Sequence, residues 1–296
     1  MVRWRWSLVA VSPFATDAVW ALVRGQARWE HGAAVLLVSG LVLGGEAAYR
    51  LLVGVYPMGL VAVLYDAMGS IAHLGVTAQR VHLCDLRQRE LSLFGTTLNG
   101  ERVTWHDWWQ VHPSRFLDVL CAIPYATFIF ACWACAAWLY VRDYPRLARF
   151  SWSFFALNVA AFATYHIFPA APPWYYHAHG CVVDTAVRAS EGPALARVDA
   201  RLGVGYFAAV YARSTQVFGA VPSLHVAYSL LVLLAGWASF PTLARVASLA
   251  FFALMAFSAV YLDHHWVLDV VAGCIYCSVV VTAAHALSRL RKAALS

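Results

Sequence analysis

Apolar residues run through this chain in stretches of roughly twenty, and that pattern excludes most folds before any motif is read. A helix needs about 20 apolar residues to cross ~30 Å of hydrocarbon. Windows of that kind fall at 33–54, 116–141, 147–168, 223–240, 244–262 and 265–288. A weaker window, 57–78, is interrupted by Pro57, Asp66 and three glycines, and it spans, re-enters or lies flat. Only 12% of the 296 residues are charged and 62% are hydrophobic, against roughly 25% charged in a soluble domain. The expected fold class is therefore all-α: a polytopic membrane helix bundle with a six-span core, an N-terminal arm and one further re-entrant or spanning segment.

Residues 1–32 read as an interfacial arm, with Trp4, Trp6, Trp20 and Trp29 suited to the headgroup layer and no apolar core of a cleavable signal. Residues 33–290 read as a single transmembrane catalytic domain and 291–296 as a cytoplasmic tail. Two long polar stretches, 79–115 and 169–222, separate the windows, and Trp105, Trp108 and Trp109 suggest a helix lying in the interface. Arg142, Arg146, Arg149, Arg245, Arg289, Arg291 and Lys292 all fall at one side of the expected bundle, which the positive-inside rule makes cytoplasmic. Both long loops then lie on the opposite side, with the starts of the helices at 223 and 265. The net charge of +6 suits anionic headgroups, and no basic stripe fits nucleic acid. Of 21 basic residues 20 are Arg. That codon bias suggests a bacterium, hence an inner-membrane protein whose site faces the periplasm, or the Golgi lumen in a eukaryote.

Seven cysteines make an odd count. Cys132/Cys135 and Cys274/Cys277 have CxxC spacing inside windows, where small residues three apart serve helix packing. Cys84 and Cys181 lie in the loops and can pair if those loops are extracytoplasmic; the sequence leaves this open.

The chemistry concentrates where membrane helices can least accommodate it. The segment "YLDHHWVLDVVAG" (261–273) carries four ionisable groups in seven residues, and each costs about 2.5–3.5 kcal/mol at a bilayer centre on insertion scales. His265 and Asp269, four apart on a helix, share a face. The carboxylate can accept the imidazole Nδ1–H, fix its tautomer and leave Nε2 as a nucleophile or base; such a pair can also simply hold helix ends. In "GAVPSLHVAY", Pro222 suits the first turn of a helix whose free N–H groups and Ser223 hydroxyl face an anion, with His225 beside it as a general acid or base. Alone, that reads equally as a capped helix start. Together, on one face of the membrane, the two segments suit phosphoryl transfer: His265 attacks phosphorus, Asp269 supports it, and His225 protonates the leaving oxygen.

"PSLH" followed by "HWVLD" resembles the second and third motifs of the type 2 phosphatidic acid phosphatase superfamily, although that superfamily's Lys/Arg first motif and the Arg of its third have no counterpart here. The stretches "FPAAPPWYY" (168–176), "GPALARVDARLGVGYF" (192–207), "VFGAVPSLH" and "FLDVLCAIPYATF" (116–128) further resemble the fungal inositol phosphorylceramide synthases over about 105–280. The resemblance implies a six-span core of the phosphatidic acid phosphatase type, the triad His225, His265 and Asp269, and Ser223 as a phosphate ligand. It also implies metal-independent transfer of phosphoinositol from phosphatidylinositol to a ceramide-like alcohol through a phosphohistidine, releasing diacylglycerol, with no cofactor. Asp263 stands where those synthases have a neutral residue.

With the basic motif missing, His166, His177, His179, His264 and Arg213 are the neighbours available to balance phosphate charge; His264 is preferred. Trp174, Tyr175 and Tyr176 can pack against an inositol ring or belong to the aromatic belt. Asp184 and Asp199 read as solvated loop acids, and His73 and His285 as structural. Zinc on His225, His264, His265 and Asp269 is disfavoured, because adjacent histidines on a regular helix diverge. Two rival activities use the same residues differently: a lipid phosphate or polyprenyl pyrophosphate phosphatase with water as acceptor, and a transporter or scaffold with a degenerate site.

Overall fold

The structure, a computed structural model, describes residues 2–187, 193–214 and 217–294. Two N-terminal helices, α1 (Val2–Val23) and α2 (Trp29–Leu43), pack on each other and on α3 (Gly45–Ile71). The polar stretch that follows holds α4 (Cys84–Phe94), a two-stranded antiparallel hairpin of β1 (Thr96–Leu98) and β2 (Glu101–Val103), and α5 (Trp105–Val111). Then come α6 (Arg115–Arg142) and α7 (Tyr144–Ile167), the short helices α8 (Pro173–His179), α9 (Pro193–Leu202) and α10 (Tyr206–Tyr211), and finally α11 (Leu224–Gly236), α12 (Thr242–Tyr261) and α13 (Val267–Ala293). Among the described residues, four helices are long and apolar enough to cross a membrane: Gly45–Ile71, Arg115–Arg142, Thr242–Tyr261 and Val267–Leu290. Val9–Val23, Trp29–Leu43 and Leu224–Gly236 are shorter apolar helices. The protein is an all-α polytopic membrane bundle.

The first apolar window is corrected. Hydropathy is continuous over 33–54, but the backbone breaks at Gly44–Gly45, where Gly45 takes φ +88°, a conformation open to glycine. The helix long enough to span begins there, and 57–78 supplies its second half. Pro57 sits inside α3, and the nearby Gly54 carbonyl accepts the Ser151 hydroxyl at 2.7 Å. A Cβ at Gly54 would lie 2.7 Å from Leu147, so α3 and α7 touch at that glycine.

The other ends are capped as their sequences suggest. Ser114 caps α6, Asp143 caps α7 with Pro145 in its first turn, and Thr104 and Asp107 form a capping box on α5. Helix α11 packs against α6, α7, α12 and α13. It is buried on nearly every side, as expected of a helix apolar all round, and Leu139, Leu147, Phe150, Leu157, Leu231 and Cys277 fill the core around it. Its 13 residues reach about 20 Å, less than a full hydrocarbon thickness.

Helix direction alternates, so Arg142, Arg146, Arg149 and Arg245 gather at one end and residues 72–114, 168–187, 193–214, 217–223 and 262–266 at the other. The connections at that second end are bound to one another. His82, Ala170 and Gly219 pair as parallel bridges, Cys84 and Cys181 form a disulfide, and Arg197 and Arg201 of α9 both reach the buried Asp118 at 2.9 and 2.8 Å. Asp199 is not a solvated acid: it is buried, and its carboxylate accepts the N–H groups of Phe207 and Ala208 at the start of α10. Cys132, Cys135 and Cys277 are unpaired and buried in the core.

Candidate active site

The turn between α12 and α13 decides the site. Asp263 adopts φ +64°, a left-handed conformation that Asp tolerates better than most residues, and the chain reverses before α13 starts at Val267. His265 is therefore not on the helix with Asp269, as its spacing predicts; it precedes the helix, and Asp269 lies in the first turn. The His265 Nδ1 is 3.0 Å from the Ala220 carbonyl and 3.6 Å from Asp269 Oδ2. A carbonyl only accepts, so Nδ1 carries the proton and Nε2 the lone pair. That lone pair meets His225 Nδ1 at 3.2 Å, across from the second residue of α11. Asp269 Oδ2 accepts the Trp266 N–H at 2.9 Å, which fixes the carboxylate beside the imidazole.

Ser223 is the N-cap of α11, with its hydroxyl accepting the Val226 N–H and its own N–H donated to the Asp269 carbonyl at 3.1 Å. Pro222 therefore stands before the cap, not inside the first turn. Close approach holds α13 against this cap: a Cβ at Gly273 would sit 2.5 Å from the Ser223 carbonyl oxygen.

A cavity of about 610 Å³ opens at the histidines, within the range of small-molecule sites. His225, His264, His265 and Trp174 line it, with Tyr125, Phe128 and Tyr211. The Tyr125 ring stacks on His225 with centroids 4.6 Å apart, and His264 stands edge-on to Tyr125 and Tyr211. His264 donates Nδ1–H to the Leu262 carbonyl at 3.1 Å, and burial pulls its pKa down to about 4. It is therefore neutral at pH 7 and offers phosphate no positive charge.

Five residues expected at the substrate lie elsewhere. Ser223 is buried beneath its cap and outside the cavity lining. Tyr175 is fully buried, its hydroxyl engaged with the Asp184 backbone, in a cluster with Val81, Leu83 and Phe218. Tyr176 lies under the Arg87 guanidinium, 4.4 Å away. His166 sits between the carbonyls of Phe162 and Ile71 and ties α7 to α3. Arg213 is 70% exposed and pairs with Glu30 at 3.2 Å. Each belongs to the packing or the rim because the loops fold onto one another at this end.

Asp263 also faces away from the cavity. It accepts from His177 Nδ1 at 2.6 Å and from Gln110 at 3.0 Å, with His106 Nδ1 at 3.5 Å. His177 in turn reaches Asp107 at 3.0 Å, and Asp107 pairs with Arg87. Burial opposes charge on His177, but its hydrogen bonds to Asp107 and Asp263 outweigh that and raise its pKa to about 9. Beside this brace, Glu90 of α4 is fully buried and accepts the Val267 and Leu268 N–H groups at 2.9 and 3.2 Å, capping α13 from another element. Nothing local in "DLRQRE" marks Glu90 for that role.

At the cavity's other side, Asp17, His31 and Asp66 form a group whose ligand atoms lie within 4.8 Å of one another. His31 Nδ1 accepts the Arg28 N–H at 2.9 Å and its Nε2 faces Asp66 Oδ2 at 2.5 Å. Both nitrogens are thus committed, and neither offers a metal a free lone pair.

The PAP2 superfamily profile matches residues 89–285, which hold His225, His265 and Asp269 in the arrangement just described. The chain belongs to the PAP2 superfamily. Among curated proteins it is 30% identical over 263 residues to the phosphoinositol dihydroceramide synthase of Bacteroides thetaiotaomicron, covering 83% of this chain and 80% of that protein. It is 30% identical over 180 residues to the inositol phosphorylceramide synthase catalytic subunit AUR1 of Saccharomyces cerevisiae, and 32% identical over 161 residues to the inositol phosphorylceramide synthase of Candida albicans. Those matches cover 60% and 53% of this chain, and 44% and 34% of the fungal proteins. No solved structure matches the chain significantly.

Proposed function

We propose that this PAP2-superfamily protein transfers phosphoinositol from phosphatidylinositol to the primary hydroxyl of a ceramide-type lipid, releasing diacylglycerol. The observation that carries the reading is the 3.2 Å approach of His225 to the proton-free Nε2 of His265 beside a cavity of about 610 Å³. It is supported by a relative named for phosphoinositol dihydroceramide synthesis that matches along most of both chains.

The donor's phosphate enters by opening the contact between the two imidazoles. Its negative charge favours a protonated His225 beside it. His265 Nε2 forms a bond to phosphorus as the bond to the diacylglycerol oxygen breaks, and that oxygen takes the proton of His225. The phosphoimidazole is cationic because Nδ1–H is retained, and the Asp269 carboxylate, 3.6 Å away, opposes its charge. In the second half the neutral His225 takes the proton of the acceptor hydroxyl, whose oxygen attacks phosphorus and expels His265. The triad's site faces the non-cytoplasmic side in this reading: the loops around it carry the Cys84–Cys181 disulfide, and the arginine-rich end is opposite.

The test is turnover of phosphatidylinositol and dihydroceramide by purified protein, with products identified by mass spectrometry. Wild type forms the phosphoinositol sphingolipid and diacylglycerol in equal amounts, and His265→Ala or His225→Ala lowers the rate at least about 10³-fold. Inositol phosphate formed in place of the sphingolipid refutes transfer in favour of hydrolysis, and unchanged turnover in either variant refutes the assigned roles.

A further inference from the structure

The catalytic cavity has a second polar wall, built by helices that lie outside the superfamily profile, which begins at residue 89. Asp17 of α1, Arg28 and His31 at the start of α2, and Asp66 of α3 all line the same cavity as His225 and His265. The two walls are close neighbours. Tyr65 and Asp66 of α3 line one cavity with Phe162 and Tyr165 of α7 and with Leu224, which precedes His225. Asp66 lies in a helix apolar enough to span, and an ionisable group there needs a structural or functional reason.

Structure accounts for part of this group. Arg28 Nη2 reaches both Asp66 oxygens at 3.0 and 3.2 Å, and His31 reaches Asp66 Oδ2. It does not account for Asp17, whose carboxylate accepts no hydrogen bond from a described residue while lining the cavity. A second feature points into the same space. The Tyr125 hydroxyl has no hydrogen-bond partner, although the residue is only 5% exposed and lines the cavity. Buried polar groups are rarely left unpaired, and an unpaired one on a residue lining a cavity favours a polar ligand there. A metal at Asp17, His31 and Asp66 would have to displace the proton that joins His31 Nε2 to Asp66 Oδ2.

We propose that Asp17, Arg28 and Asp66 form the seat for the hydroxyl-rich headgroup of the donor lipid, a cyclic polyol held by its phosphate at the histidines. This rests on the transfer reaction above. In that reaction the lipid alcohols exchange, diacylglycerol leaving and the acceptor arriving, while the headgroup stays on phosphorus throughout. It therefore needs a fixed polar seat. An unpaired carboxylate accepts from two adjacent hydroxyls, and the Arg28–Asp66 pair offers one donor and one acceptor beside it. The Tyr125 phenol, stacked on His225, supplies a donor near the phosphoryl end.

The test uses full-length protein in mixed micelles and compares wild type with Asp17→Asn, an isosteric change. The expected result is a KM for phosphatidylinositol raised roughly 10- to 100-fold, the loss of one charge-assisted hydrogen bond, with the KM for dihydroceramide within about twofold. A donor KM that does not move, or both KM values rising together, overturns the proposal. A binding arm decides the matter for a variant too slow to assay: free myo-inositol 1-phosphate raises the thermal midpoint of wild type and not of Asp17→Asn, whereas glycerol 1-phosphate acts on both alike. Equal responses to myo-inositol 1-phosphate overturn it. If wild type fails to make the sphingolipid, the transfer reading falls, and the binding arm still reports separately on the seat.

Discussion

Raising the pH from 7 to 10 should loosen the turn that carries His264 and His265, through a residue outside the cavity. His177 links α8 to Asp107 of α5 and to Asp263 of that turn, and it keeps its proton up to about pH 9, against 6.5 for an ordinary histidine. A folded-state pKa raised in this way stabilises the protein fully below pH 6.5, and the contribution disappears as pH climbs through 9. Fully expressed it is worth about 3 kcal/mol; roughly 2.5 kcal/mol remains at pH 7 and almost none at pH 10. Above pH 9 the two carboxylates, both held below their ordinary pKa despite burial, face a ring with a single proton to share. Thermal unfolding followed by intrinsic fluorescence, at half-unit steps from pH 7 to 10, reads the effect. Wild type loses several degrees of midpoint centred near pH 9, and the midpoint of His177→Gln starts lower and stays flatter across that window. Parallel curves for the two proteins would refute the brace.

Two further perturbations follow from the same geometry. Gly273→Ala places a methyl 2.5 Å from the Ser223 carbonyl oxygen, forcing α13 away from α11 by several tenths of an ångström or more; turnover falls about 10²-fold while the fold survives by circular dichroism, and near-normal activity refutes the close-approach argument. Cys84→Ser opens a link across 97 residues, worth up to about 4.7 kcal/mol on chain-entropy grounds, so it lowers the unfolding midpoint and abolishes the effect of reductant that wild type shows; a wild-type midpoint indifferent to reductant counts against the bond.

The bundle was largely legible because bilayer thickness imposes one length on every spanning helix, and hydropathy records that length. It failed at Gly44–Gly45, where two glycines end a helix without lowering the apolar average. The histidine pair was legible because its residues sit in short motifs with fixed spacing. Tyr175 and Tyr176 misled because aromatic residues near a membrane surface look alike whether they face lipid, ligand or a second loop; here loop residues 81–87 cover them. Glu90 and Asp17 gave no usable signal, and Asp66 showed only as a break in an apolar window. Their surroundings come from distant elements: α13 for Glu90, and for the two aspartates a cavity whose histidines lie some 160 to 250 positions further along the chain.

The four ionisable groups of "DHHWVLD" raise an energetic problem that the turn resolves by separating them. Because Asp263 takes a left-handed backbone conformation, it points into the brace while the two histidines that follow it reach the cavity. Its charge is matched by His177, which stays protonated, and Asp269 is spaced one helical turn away beside His265. The net result is two imidazoles facing the cavity, braced from behind by Asp263 and His177, which do not line it. In the proposed transfer, the charge that balances the phosphodiester is the proton on His225, taken up beside the bound donor and passed to the departing alcohol, in keeping with the absence of a Lys/Arg first motif. An acid that stood in the cavity in place of Asp263's outward position would compete for that proton; Asp263, standing where the fungal synthases have a neutral residue, belongs to the brace behind the site.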